Sequence, residues 1–233
     1  LAPVDFTPDA VLFDMDGLMI ESERALLECW RETALELRLE LDDALWLSFV
    51  GLSDRACHDI LRQRLVDEDL VQALLHGLQT RYDARVDAGL PLKTGVLELL
   101  ALLKARGIPR AVVTSTRRPR ALQKLESTGL LPHFDDVIAG NEVQHSKPAP
   151  DIYLLAAQRL GVAPMHCIVL EDSVPGVRAA LAAGMTPIQV PDLVIPDDTV
   201  RALGHRIVDS LVHARALIEP ALKGPLPSGE GLG

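Results

Sequence analysis

The feature that most restricts the fold of this chain is an alternation. Short continuous apolar runs occur at Ala10–Phe13, Arg110–Val113, Asp136–Ala139, Cys167–Leu170, Pro187–Val190 and Ile207–Val208. Between most of them lie amphipathic stretches, such as Gly95–Arg106, Arg120–Thr128, Ile152–Leu160 and Gly176–Ala183. A strand that is apolar throughout is buried on both faces, and a strand–helix–strand rhythm feeds a parallel sheet covered by helices. The expected class is therefore α/β, with a parallel sheet at its centre.

One segment breaks the rhythm. From about Ser22 to Leu90 there is no convincing strand. Leu26, Leu27, Trp30, Ala34 and Leu37 fall at helical spacing, as do Leu70, Leu74, Leu78 and Tyr82. The expected organisation is a core of residues 1–21 and 92–222, an all-helical cap domain over residues 22–91, and a disordered Gly- and Pro-rich tail over residues 223–233.

A chain of 233 residues with 48% hydrophobic content can bury the core this requires. Its formal net charge of -10 argues against nucleic-acid binding, which needs a basic footprint. Cys29, Cys57 and Cys167 lack metal-ligand spacing and read as reduced thiols. No apolar run is long enough to span a bilayer and no basic-then-apolar leader opens the sequence. A cytoplasmic location, no membrane association and no obligate protein partner are expected.

Ligands of a parallel sheet bind beyond the carboxyl ends of its strands. After the first run come Asp14, Asp16 and Gly17; two carboxylates at a buried strand exit are costly without a cation. After the second comes Thr114-Ser115-Thr116, whose hydroxyls and N–H groups can hold phosphate oxygens. Beyond the third, Lys147 stands before two prolines that stiffen its loop. After the fourth come Glu171 and Asp172. Each has an ordinary reading as a turn, a cap or a surface charge. Four in order, each at a different strand end, fit a hard cation beside an anion site, which suits Mg²⁺.

The strings FDMDGL (Phe13–Leu18), VVTST (Val112–Thr116), SKPAPDIY (Ser146–Tyr153) and VLEDSVPGV (Val169–Val177) resemble the four motifs of the haloacid dehalogenase-like (HAD) superfamily. The helical insert after the first motif resembles the cap of the subgroup that contains phosphoglycolate phosphatase and β-phosphoglucomutase. The resemblance implies a Rossmann-like core and an aspartyl-phosphate mechanism. Asp14 would be the nucleophile and Asp16 the general acid/base. Thr114 and Ser115 would hold the phosphoryl group, with Gly17 at the turn, and Lys147 would offset its charge. Asp14, the Asp16 carbonyl and Asp172 would bind Mg²⁺, with Glu171 supporting them.

Asp16 and the Glu171–Asp172 pair speak against dehalogenation, and residues 22–91 contain no lysine for phosphonate cleavage. The mutase of this subgroup has a cap histidine where this chain has Leu26. The expected function is thus an Mg²⁺-dependent phosphatase acting on a small phosphorylated metabolite, a sugar or nucleotide phosphate. The alternatives are a β-phosphoglucomutase-like mutase and, further off, an inactive binding module. Arg55, in the loop Gly51–Arg55, is the expected substrate contact; Arg117 and Arg118 are candidates for a second anionic group.

Overall fold

The computed structural model describes residues 1–49 and 54–222, with the side chains of residues 54–56 left aside. The chain begins with β1 (Ala10–Phe13), then α1 (Ser22–Glu36), α2 (Asp43–Leu47), α3 (Asp54–Leu65), α4 (Glu68–Ala88) and α5 (Val96–Ala105). It continues with β2 (Arg110–Thr114), α6 (Arg118–Ser127), β3 (Asp136–Ala139), α7 (Asp151–Leu160), β4 (Cys167–Glu171) and α8 (Val174–Ala182). β5 (Thr186–Gln189), α9 (Asp198–Arg201), β6 (Arg206–Ile207) and α10 (Leu211–Ile218) complete it.

The strands form one parallel sheet in the order β3-β2-β1-β4-β5-β6. Alternation along each strand divides the core. Val11 and Phe13 of β1 face the layer built by α5, α6 and α10, with Leu99, Leu103, Leu125 and Ile218. Ala10 and Leu12 face α7 and α8, with Tyr153, Ala156, Ala179 and Ala180. Both faces are covered, which is why the strands read as continuous apolar runs. Two strands run one residue further than the apolar pattern suggested: Thr114 ends β2 and Glu171 ends β4. Polar atoms terminate the hydrophobic signal there, but the ladder pairs Thr114 with Ala139 and Glu171 with Gln189.

α1 to α4 lie between β1 and β2 and share a second apolar cluster around Trp30, Trp46, Phe49, Leu61 and Leu74. The ring centroids of Trp30 and Trp46 are 5.4 Å apart. Aromatic side chains fill this small cluster where aliphatics would leave gaps. α1 and α4 also serve the main core through Ala25, Cys29, Tyr82 and Val86. The chain enters and leaves the insert side by side: Glu21 N–H donates to Pro91 O, and Lys93 N–H to Met19 O, both at 2.9 Å. Among the described residues no helix is long and apolar enough to cross a membrane. The loop 50–53 and the tail 223–233 lie outside the described residues.

Candidate active site

The carboxyl ends of β1, β2 and β4 open into one cavity of about 920 Å³. Asp14 follows β1 and stands on its floor; Thr114 closes β2, and Asp172 follows β4. Lys147 enters from the loop before α7 and is almost wholly buried. Its Nζ lies 2.6 Å from Asp14 Oδ1 and 2.6 Å from Glu171 Oε1, and donates to Val113 O at 3.0 Å. A buried ammonium with three acceptors has no freedom to turn away. The two carboxylates outweigh its burial and hold it well above the usual lysine range.

Glu171 stands behind Lys147, with no exposure at all. Its Oε1 also accepts from the Tyr153 hydroxyl at 2.8 Å, and its Oε2 accepts from Ser173 N at 3.0 Å and Ser173 Oγ at 2.9 Å. The same Ser173 hydroxyl caps α8 by accepting from Gly176 N. Burial and Glu171 together push the Tyr153 phenol well above its usual range, so it stays a donor.

The acidic groups are crowded. Burial raises the Asp14 carboxyl to about 7; Lys147 opposes this and Glu171 adds to it. Burial also pushes Asp172 well up, with Asp14 and Glu171 adding repulsion. Asp14, Glu171 and Asp172 each offer an oxygen, and these atoms lie within 4.8 Å of one another. A buried set of three crowded carboxylates, two of them pushed up in pKa, is a set that a hard cation would relieve. Gly17 makes the approach feasible: with φ at 77°, it lies so close to Asp172 that a Cβ there would meet the Asp172 carboxylate. The donor set therefore fits a divalent cation.

Asp16 behaves differently from its neighbour. Lys124 Nζ donates to its Oδ1 at 2.6 Å and Thr116 Oγ1 to its Oδ2 at 2.7 Å. Burial alone would raise this carboxyl, but Lys124, seconded by Thr116, outweighs burial and holds it below the usual range. Two carboxylates two residues apart are thus driven in opposite directions. Glu23, at the start of α1, faces the same cavity; burial and the Asp16 charge raise it to about 7.

This fold and site define a class. The model of the haloacid dehalogenase-like hydrolase family matches residues 8–184, and the chain belongs to that family. It is 33% identical over 180 residues to a phosphorylated carbohydrates phosphatase of Thermotoga maritima, covering 77% of this chain and 83% of that one. It is 34% identical over 183 residues to the fructose-1-phosphate phosphatase YqaB of Escherichia coli, covering 77% and 95%. A HAD family hydrolase from Deinococcus radiodurans, crystallised with phosphate and sodium, superposes with a TM-score of 0.79 at 34% identity, covering 93% of this chain and 97% of that one.

Of the residues singled out from sequence, Asp14, Asp16, Thr114, Ser115, Lys147 and Asp172 line the one cavity. Gly17 does not; its N–H is directed to Ile20 O and Ser22 Oγ. Arg118 turns away, donating to Val137 O and Glu142 Oε2, and Arg117 is not part of the wall. The Arg55 side chain lies outside the described residues. Thr116, read as a phosphate contact, donates instead to Asp16. Lys124, Tyr153, Glu23 and the cavity-lining Asp192 were missed. Lys124 left a signal: it lies between Ala121 and Leu125 on the apolar stripe of α6, where a charge needs a partner.

Proposed function

We propose that the chain is a divalent-metal-dependent phosphomonoester phosphatase that acts on a small sugar phosphate through an aspartyl-phosphate on Asp14. The observation that carries this reading is the division of labour on the cavity floor. Asp14 is held by Lys147, and Asp16, two residues on, is held separately by Lys124 and Thr116.

In the first half-reaction an oxygen of Asp14 forms a bond to phosphorus and the bond to the leaving oxygen breaks. Asp16, which must carry a proton in the substrate complex, gives it to that oxygen. In the second, water attacks phosphorus, its proton passes to Asp16, and the electron pair of the breaking P–O bond returns to Asp14. Lys147 offsets charge on the phosphoryl oxygens while keeping Asp14 aimed. Thr114 and Ser115 line the same wall, where the Thr114 hydroxyl and the Ser115 backbone would bind those oxygens. Asp14, Asp172 and the Asp16 carbonyl, with Glu171 behind them, would hold Mg²⁺, which when bound neutralises phosphoryl charge.

The mutase of this subgroup carries a cap histidine at the position of Leu26. Leu26 stands on the cavity wall, and no histidine is among the described lining residues. This favours water as the acceptor. The Thermotoga and Escherichia relatives, whose names specify carbohydrate phosphates, support a sugar phosphate over a nucleotide. Release of inorganic phosphate from a panel of hexose phosphates, hexitol phosphates, nucleotides and phosphoglycolate with Mg²⁺ tests the assignment. Conversion of a β-sugar 1-phosphate to its 6-phosphate without phosphate release would replace it by the mutase reading.

A further inference from the structure

Lys124 belongs to none of the four strand-end motifs, yet it is one of two lysines on the cavity wall. Its side chain is 6% exposed. On one side it meets Asp16 Oδ1 at 2.6 Å. On the other, its ammonium lies 5.2 Å from the centre of the Tyr82 ring, which comes from α4 of the insert. Two further contacts join α4 to α6 beside it: Arg120 pairs with Asp83 at 2.5 Å, and Gln123 Nε2 donates to Asp87 Oδ1 at 2.6 Å. Arg120 also covers the Tyr82 ring, at 5.3 Å. Asp16, Lys124 and Tyr82 thus form a continuous chain of contacts from the cavity floor to the inserted helices.

From this geometry we propose that Lys124 is a positioning residue for Asp16, clamped by the Tyr82 ring, so that the seating of α4 on α6 aims the group that activates water. The proposal rests on the acid/base reading of Asp16. Both Asp16 oxygens accept hydrogen bonds, one from an ammonium and one from a hydroxyl, which holds the carboxylate ionised and fixed in direction, as a group that receives a proton from water must start. That is its task in the second half-reaction. A carboxylate fixed at both oxygens keeps one orientation toward the attacking water; one released from Lys124 spends most of its time misaimed. Tyr82 contributes without touching the reacting atoms, because a cation over a ring face is attracted to it and is shielded from water there.

On p-nitrophenyl phosphate, whose leaving group needs no proton, the consequence is confined to one step. Formation of the aspartyl-phosphate governs kcat/KM, whereas its hydrolysis is common to all substrates. Lys124→Met is therefore expected to lower kcat on p-nitrophenyl phosphate by roughly 10- to 100-fold, part of the range ascribed to acid–base catalysis. KM for that substrate should fall in parallel, with kcat/KM within about threefold of wild type, whereas kcat/KM on a hexose phosphate should fall as well. Rapid mixing should show a burst of p-nitrophenol as phosphoenzyme accumulates. Lys124→Arg should recover most of kcat. Tyr82→Leu keeps every charge and should give the same pattern at smaller amplitude; it carries the test if Lys124→Met does not fold. Variants that melt like wild type but on p-nitrophenyl phosphate lose kcat and kcat/KM together without a burst, or lose neither, would overturn the proposal. Asp16→Asn separates it from its premise. Near-wild-type turnover there defeats the acid/base reading itself, whereas loss there with no effect at Lys124 or Tyr82 defeats only the positioning role.

Discussion

The carboxylate of Glu171 occupies the space that a side chain on Gly176 would need. A Cβ built at Gly176 would overlap the Glu171 carboxyl group itself, although Gly176 stands in the first turn of α8. Helix propensity favours alanine over glycine by about 1 kcal/mol. Here the sign is expected to reverse. Gly176→Ala should destabilise the protein by about 1–3 kcal/mol, the usual cost of overpacking, and should lower kcat/KM by displacing Glu171 and with it Lys147. Urea denaturation and steady-state kinetics check both.

Tyr153 holds Glu171 from behind through a single hydroxyl, at 2.8 Å. Tyr153→Phe keeps the ring in its buried place and removes only that donor. A hydrogen bond to a charged acceptor is worth about 1.5–3 kcal/mol. The expected loss of stability lies in that range, with the ion pair between Lys147 and Glu171 left in place. Loss of less than about 0.5 kcal/mol by urea denaturation would show that Glu171 is held by its other donors alone.

Asp14 predicts a pH dependence. Its folded pKa, about 7, lies above the ordinary 3.8, so the native state binds the proton more tightly than the unfolded chain. Below pH 4 both states are protonated and the group contributes nothing. Between about pH 4 and 7 the unfolded state ionises first, and stability falls as pH rises. Asp14→Asn does not titrate. In the presence of chelator it should therefore be more stable than wild type at pH 8, by on the order of 4 kcal/mol, with the gap closing toward pH 4. A constant gap across that range would contradict the burial of a raised carboxyl.

Metal should reverse that instability. An ion bound by the folded site alone, at a hundredfold excess over its dissociation constant, stabilises by about 2.7 kcal/mol. For a chain of this size that raises the melting temperature by on the order of 5–10 °C. Mg²⁺ should produce such a shift at neutral pH, EDTA should abolish it, and Asp172→Asn should remove most of it. An unchanged melting curve across millimolar Mg²⁺ would count against the cation site.

Much of this architecture was legible in the sequence for one physical reason. A parallel sheet covered on both faces leaves no polar alternation, so Ala10–Phe13 and Cys167–Leu170 stand out as apolar runs, and the chemistry follows each run at its exit. Asp14, Thr114, Lys147 and Asp172 could be found by asking only what comes next. Lys124 and Tyr82 could not, because both sit mid-helix: Lys124 meets Asp16 across the fold, 108 residues away, and Tyr82 reaches it only through Lys124. The α6 pattern placed Lys124 on a buried face, but nothing local named its partner. Arg118 illustrates the opposite error: its place after Thr116 suggested an anion contact, whereas Val137 O and Glu142 claim it. Sequence proximity to a motif does not fix the direction of a long side chain.

The covalent intermediate on Asp14 is the central claim, and trapping it is the most direct test. Enzyme mixed with Mg²⁺ and a radiolabelled sugar phosphate, quenched in acid within one turnover and digested, should carry the label on the peptide containing Asp14. The label should be absent from Asp14→Asn and should be released by hydroxylamine, as an acyl phosphate is. Turnover at the wild-type rate with no labelled protein, or label on a peptide lacking Asp14, would contradict the account.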